Sequence, residues 1–346
     1  MPTPGSNRSI AVWLLICCAA IYGMVVLGGV TRLTGSGLSM VKWEPVIGIL
    51  PPLEQSQWVE VFELYQQFPE FKLKNSSMDL EGFKEIFWLE YAHRVLGRLI
   101  GIIFLLPMLY FLIRGRIDRR IAPKLVVMFI LGGLQGLLGW YMVKSGLSQD
   151  PHVSQYRLTA HLGFAFLIYA YIFWVALGLL VPREPGTAEN GPARLRVFSY
   201  LVTGLVFLTV LSGGFVAGLK AGLAYNTFPT MNGQWIPDGM LSLDPLWRNF
   251  FDNVTTVQFD HRVLATLQFL VIPVFWMRAR RYPLSGGVRR AFDLLMLVLL
   301  VQITLGISTL LLRVPVSLAA THQGGALLLF TVALYISHQL GRRRGV

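Results

Sequence analysis

Four of the six histidines carry the strongest chemical signal in the chain: His93, His161, His261 and His322. Each opens a long apolar stretch, and they fall into two pairs, 93 with 161 and 261 with 322. Neutral imidazole is a strong ligand for transition metals. A compact zinc site would draw in Cys or carboxylates that converge on one point. The only cysteines, Cys17 and Cys18, are adjacent inside an apolar run and form no CxxC motif. The plain alternative is that a histidine near a membrane surface turns its polar tip to water. That reading covers any one of the four more easily than four in register. His152 and His338 break the pattern and read as solvent-facing, one in a loop and one at a helix end.

Three charged side chains accompany the histidines. Glu90 precedes His93 by three residues, which puts both on one helical face. Arg94 and Arg262 follow the first histidine of each pair. A carboxylate can accept a proton or stabilise developing positive charge, or it can simply favour a helix N-terminus. An arginine fork can pair an anionic ligand group or reach lipid headgroups. Asp260, adjacent to His261, points elsewhere on its helix.

The elements that position these residues are membrane spans. Of 346 residues, 54% are hydrophobic and 14% charged, far from the quarter charged of a soluble domain. Eight apolar runs are present: Ile10–Val30, Tyr91–Ile113, Leu125–Val143, Leu158–Val181, Val197–Ala217, Thr255–Met277, Ala291–Leu312 and Leu318–Leu340. Each is long enough to cross a hydrocarbon core of roughly 30 Å as a helix, and lipid leaves a lone segment no other way to satisfy its backbone. The fold class is therefore an all-α integral membrane protein with eight transmembrane helices. The first run follows a single basic residue and lacks a small-residue cleavage site, so it reads as a retained span.

Orientation follows from the basic residues. Both termini and the loops after the second, fourth and sixth runs hold 17 of the 30 Lys and Arg but only four of the 18 acids. These segments are expected in the cytoplasm. The net charge of +12 is then a topology signal, and nucleic acid is not expected as a partner. Two long extracytoplasmic loops remain, about 31–90 and 218–254. The first is rich in aromatics and proline, among them Trp43, Pro45 and Trp58, and Trp58 to Phe71 reads as an interfacial helix.

The chain also repeats itself. LGGVTRLTGSGL (27–38) resembles SGGFVAGLKAGL (212–223). EYAHRVLGRL (90–99) resembles QFDHRVLATL (258–267), and LQGLLG (134–139) resembles VQITLG (301–306). Halves 1–181 and 195–346 each hold four spans, so they share one orientation and form a parallel repeat of two four-helix bundles. Segment 182–194, rich in Pro and Gly, reads as a cytoplasmic linker. All four histidines then lie at one depth, two facing each other in each half. That geometry suits a His–iron–His sandwich of a planar tetrapyrrole. Gly28, Gly29, Gly132, Gly133, Gly136, Gly139, Gly213, Gly214 and Gly306 either let helices approach or make room for a macrocycle. The halves differ at one position: Glu90 is matched by Gln258.

GGVTRLTGSGLSM, EYAHRVLGR, HLGFA, FDHRVLA and THQGGA, set on a 4+4 helix plan, resemble the haem A synthase family over nearly the whole chain. The resemblance implies oxidation of the C8 methyl of haem O to a formyl group, giving haem A for cytochrome oxidase. It implies that His93 and His161 hold the substrate haem O, that His261 and His322 hold a permanent haem b, and that Glu90 assists the chemistry. It places the chain in the bacterial plasma membrane, with lipid and haem O as partners. It leaves room for haem O synthase, cytochrome oxidase assembly factors and a homo-oligomer. Some members carry a cysteine pair in the first extracytoplasmic loop; positions 31–90 have none, so the chain resembles the proteobacterial and mitochondrial branch. A di-haem electron-transfer cytochrome, such as a quinol dehydrogenase, would need the same four histidines and is the alternative. A parallel-repeat transporter would need midplane charges, which are almost absent.

Overall fold

The computed structural model describes residues 4–41, 50–147, 153–180 and 193–341. Its helices are α1 (Pro4–Leu33), α2 (Gln55–Gln66), α3 (Pro69–Lys74), α4 (Leu80–Ile113), α5 (Ala122–Gly146), α6 (Gln155–Leu180), α7 (Ala193–Gly218), α8 (Asn249–Asp252), α9 (Val254–Ala279), α10 (Gly286–Leu311) and α11 (Val316–Gly341). No strand forms among the described residues beyond one isolated bridge, Met231 to Gln234. Eight helices, α1, α4 to α7 and α9 to α11, are long and apolar enough to cross a membrane, and they coincide with the eight apolar runs.

The packing repeats. Helix α1 lies against α4 and α6, and α5 bridges α4 and α6, so these four close a ring with α4 and α6 at opposite corners. Helices α7, α9, α10 and α11 close a second ring in the same order. The rings join through α6 on α7, α11 on α1 and α11 on α6, so α1, α6, α7 and α11 form the centre. Their buried faces supply most of the main core, with Leu14, Phe166, Val202 and Leu327 fully or nearly fully enclosed. A few polar ties cross it: Tyr169 to Thr331 at 2.9 Å, Thr203 to Ser337 at 2.9 Å, and Gln323 Nε2 donating to the Val25 carbonyl at 2.7 Å. The outer spans keep large apolar side chains exposed, such as Phe129 and Leu137 on α5 and Phe269 and Leu270 on α9. That is the surface a hydrocarbon solvent demands.

Helix α4 begins eleven residues before the apolar run at Tyr91 that marks it in the sequence. Asp79 caps it, accepting from the Gly82 N–H at 2.9 Å. The added turns are amphipathic: Phe83, Ile86, Phe87 and Glu90 are buried on one face. That face packs under α2 and α3 in an aromatic cluster with Trp58 and Tyr65 at its heart. The segment expected as one interfacial helix, Trp58 to Phe71, is thus two helices folded onto α4. Pro69 ends the continuity, since it holds Phe68 in an extended conformation (φ −85°, ψ 153°). Trp43 and Pro45, most of the linker 182–194 and His152 lie outside the described residues. His338 is not solvent-facing. It is 6% exposed, with its ring edge-on to Trp174 of α6 at 4.9 Å, because α6 covers this end of α11.

Glu70 is buried within the cap, 3.5 Å from the Tyr65 hydroxyl, which also accepts from Asn75 at 2.7 Å. Burial pushes the Glu70 carboxyl up to about 7, opposed by Lys74 and the Tyr65 hydroxyl and reinforced by Glu90. Between its ordinary value and about 7, the folded chain keeps a proton that the unfolded chain has lost. The contribution of this group to stability therefore declines as pH rises through that window. Glu70→Gln is expected to remove the decline: the fall in Tm between about pH 5 and about pH 8 should be smaller in the variant in detergent melts. An equal fall in both proteins would show that Glu70 titrates normally.

Candidate functional site

The four histidines sit on opposite corners of the two rings, His93 on α4, His161 on α6, His261 on α9 and His322 on α11. His161, His261 and His322 lie about two turns into their helices, and His93 about four turns into the longer α4. Within each ring the two histidines stand on helices at opposite corners, His93 with His161 and His261 with His322.

Each imidazole rests against a glycine of a neighbouring span. A Cβ added at Gly28 would stand 3.1 Å from His93 Nε2. At Gly139 it would stand 3.0 Å from His161 Cε1, at Gly213 3.3 Å from His261 Cε1, and at Gly306 2.9 Å from His322 Cε1. Any side chain there would displace the ring. Gly28 matches Gly213 in the repeat, and Gly139 matches Gly306, so one device recurs four times. Two glutamines extend the symmetry: Gln135 Nε2 donates to the His161 carbonyl at 3.0 Å, and Gln302 Nε2 to the His322 carbonyl at 2.9 Å. The two functions foreseen for the glycines are divided among them. Gly29 and Gly214 serve helix approach, facing Gln323 and Thr159 of the other half. Gly132, Gly133 and Gly136 have nothing within 4 Å of an added Cβ.

Glu90 is no surface acid at a helix end. It is 3% exposed and fully engaged. Oε2 accepts from Ser39 Oγ at 2.8 Å and from the Met40 N–H at 2.7 Å. Oε1 accepts from Arg94 Nε at 3.0 Å and Nη2 at 2.5 Å. Arg94 does not snorkel: its side chain is 10% exposed, and Nη2 also donates to the Met40 carbonyl at 2.8 Å. Arg262 has no carboxylate partner among the described residues and is held by the carbonyls of Tyr225, Thr227 and Thr230 at 2.8, 2.9 and 3.3 Å. Asp260 takes no part in these contacts.

Residues 11–334 match the COX15-CtaA family, described as cytochrome oxidase assembly protein. The chain is 59% identical to a haem A synthase of Nitrosospira multiformis over 97% of its length and 95% of the relative's. It is 49% identical to a haem A synthase of Paramagnetospirillum magneticum (98% and 96% covered) and 47% identical to haem A synthase COX15 of Bos taurus (99% and 84% covered). The chain belongs to the COX15-CtaA family.

The donor set fits a haem rather than a bare metal ion. Among the described residues no group of three or more His, Cys, Asp or Glu could hold a metal. Two imidazoles suffice only where the iron arrives with its own ring of nitrogens. The nitrogens fit as well: Nδ1 of His161 and of His322 are buried without a hydrogen-bond partner, an expensive state for a polar atom with no ligand to meet. His261 Nδ1 meets Ser212 Oγ at 2.8 Å. In this COX15-CtaA chain, Ser39, Gln135, Gln302 and Ser212 went unnoticed in the sequence. The two glutamines carried a signal, since both stand four residues before the glycine that backs the second histidine of their half.

Proposed function

We propose that this chain is a haem A synthase of a bacterial plasma membrane, oxidising the C8 methyl of haem O through the alcohol to the formyl group. On this reading residues 1–181 form the substrate half, with His93 and His161 as the residues that would hold haem O. Residues 195–346 form the haem b half, with His261 and His322 as ligands. The observation that carries the assignment is Glu90: two matched histidine pairs differ in that only the first has a buried carboxylate one turn away.

Haem b, held by His261 and His322, would supply one-electron redox capacity when bound. The protein's own residues do the rest. The histidine pairs would hold the macrocycles, and the glycines behind them leave the imidazoles in place. Arg262 and, beside its ion pair with Glu90, Arg94 would lend positive charge to propionates. Glu90 would present a carboxylate at one edge of the substrate, able to accept a proton or to stabilise positive charge developing there. Protein–protein partners on this reading are haem O synthase and cytochrome oxidase assembly factors, and a second copy of the chain.

Membranes from cells expressing this chain with haem O synthase should contain haem A by pigment extraction. Haem O alone, with bound haem b, would instead favour a di-haem electron-transfer cytochrome. Both termini and the loops near 118, 188 and 285 are assigned to the cytoplasm from the basic residues. A C-terminal reporter active only outside the cytoplasm should accordingly stay silent, and activity would reverse the orientation.

A further inference from the structure

The carboxylate of Glu90 lies in a socket whose counterpart in the second half lacks one group. Arg94 Nη2 docks on the Met40 carbonyl at 2.8 Å, and Arg262 Nη2 docks on the matching Tyr225 carbonyl at 2.8 Å. The segment after the double glycine therefore meets the first span's successor in the same way in both halves. What differs is polarity. Met40 donates its N–H to Glu90 Oε2, whereas Gln258 Nε2 donates to the Tyr225 carbonyl at 3.1 Å. The residue matching Ser39 is Ala224. The hydroxyl occurs only where the carboxylate occurs. Ser39 is fully buried, and its single hydroxyl hydrogen has two acceptors in reach, the Ile86 carbonyl at 3.3 Å and Glu90 Oε2 at 2.8 Å. The nearer, charged acceptor takes it, since a hydrogen bond to an ionised group is the stronger.

We propose that Ser39 is a positioning residue for Glu90: its hydroxyl and the Met40 N–H fix Oε2 while Arg94 fixes Oε1, so the carboxylate keeps one orientation throughout turnover. The proposal rests on the haem A synthase reading and on Glu90 as the acid that faces the substrate. With both oxygens held from different elements, the carboxylate plane cannot rotate about its side chain. Without Ser39, one of the two donors to Oε2 is gone and the group can swing. Small misplacements of a reacting group are costly, and the cost falls on turnover rather than on binding.

Ser39→Ala is expected to keep haem b content, lower kcat for haem A formation by about tenfold and leave KM near its original value. Two further readouts separate positioning from plain packing. In a Glu90→Gln background, Ser39→Ala should cost less than about twofold, because the group it acts through is gone. In infrared spectra, the carboxylate band identified by its loss in Glu90→Gln should shift in Ser39→Ala. Equal losses in the two backgrounds, or an unmoved band, would overturn the proposal. If the original chain makes no haem A at all, the functional reading fails instead, and the infrared comparison still judges Ser39.

Discussion

Glu90→Gln should lower haem A output by about 10²-fold or more, the usual scale for losing a positioned acid or base, while haem b content stays unchanged. The substitution keeps the shape of the side chain and removes its charge. It also ends the ion pair with Arg94, and removing one partner of a buried pair can cost about 3–5 kcal/mol. The second half shows how the fold accommodates that change: Gln258 and Arg262 occupy the same positions and donate to backbone carbonyls. Glu90→Asp provides the second variant, since it retains the charge but draws it back by one methylene, and it should fall between the two. Haems extracted from matched amounts of protein are the measurement. Output near that of the unaltered chain in Glu90→Gln would remove Glu90 from the chemistry and leave it a structural tie between α4 and the preceding loop.

Histidine replacements should divide cleanly by half. His261→Ala or His322→Ala is expected to strip haem b from the purified protein, because neighbours of metal ligands already change affinity by about 10- to 100-fold and a ligand itself matters more. His93→Ala or His161→Ala should abolish haem A formation and leave a low-spin haem b spectrum largely intact. Absorbance of the purified variants and pigment extraction from co-expressing membranes report the two outcomes. Loss of haem b from first-half variants alone would exchange the roles of the halves.

The spans, and which ring of helices each histidine would join, were legible because both follow from simple patterns: apolar runs of fixed length, and repeat positions copied by duplication. The Glu90–Arg94 pair was legible in principle too. Their i, i+4 spacing is that of a helical ion pair, but attention to His93, three residues away, hid it. Ser39 could not be read in advance, since it lies 51 residues from Glu90 in sequence and meets it only through the fold of the first loop. The early start of α4 was masked by its polar face, although Leu80, Phe83 and Phe87 already carried a helical period. His338 misled for a different reason. A polar residue near a helix end is normally wet, and only the packing of α6 against α11 shuts water out.

The double glycines have a consequence for how the two halves communicate. Gly28 backs His93 and Gly213 backs His261, each in its own half. Their neighbours look the other way: Gly29 receives Gln323, the residue after His322, and Gly214 receives Thr159, two residues before His161. Each dipeptide thus touches one histidine turn of its own bundle and one of the opposite bundle. Gln323 is further fastened to the Val25 carbonyl one turn below. A shift of the His322 turn would therefore press on the backbone behind His93, and a shift of the turn before His161 on the backbone behind His261, so neither bundle can rearrange its histidines without meeting the other.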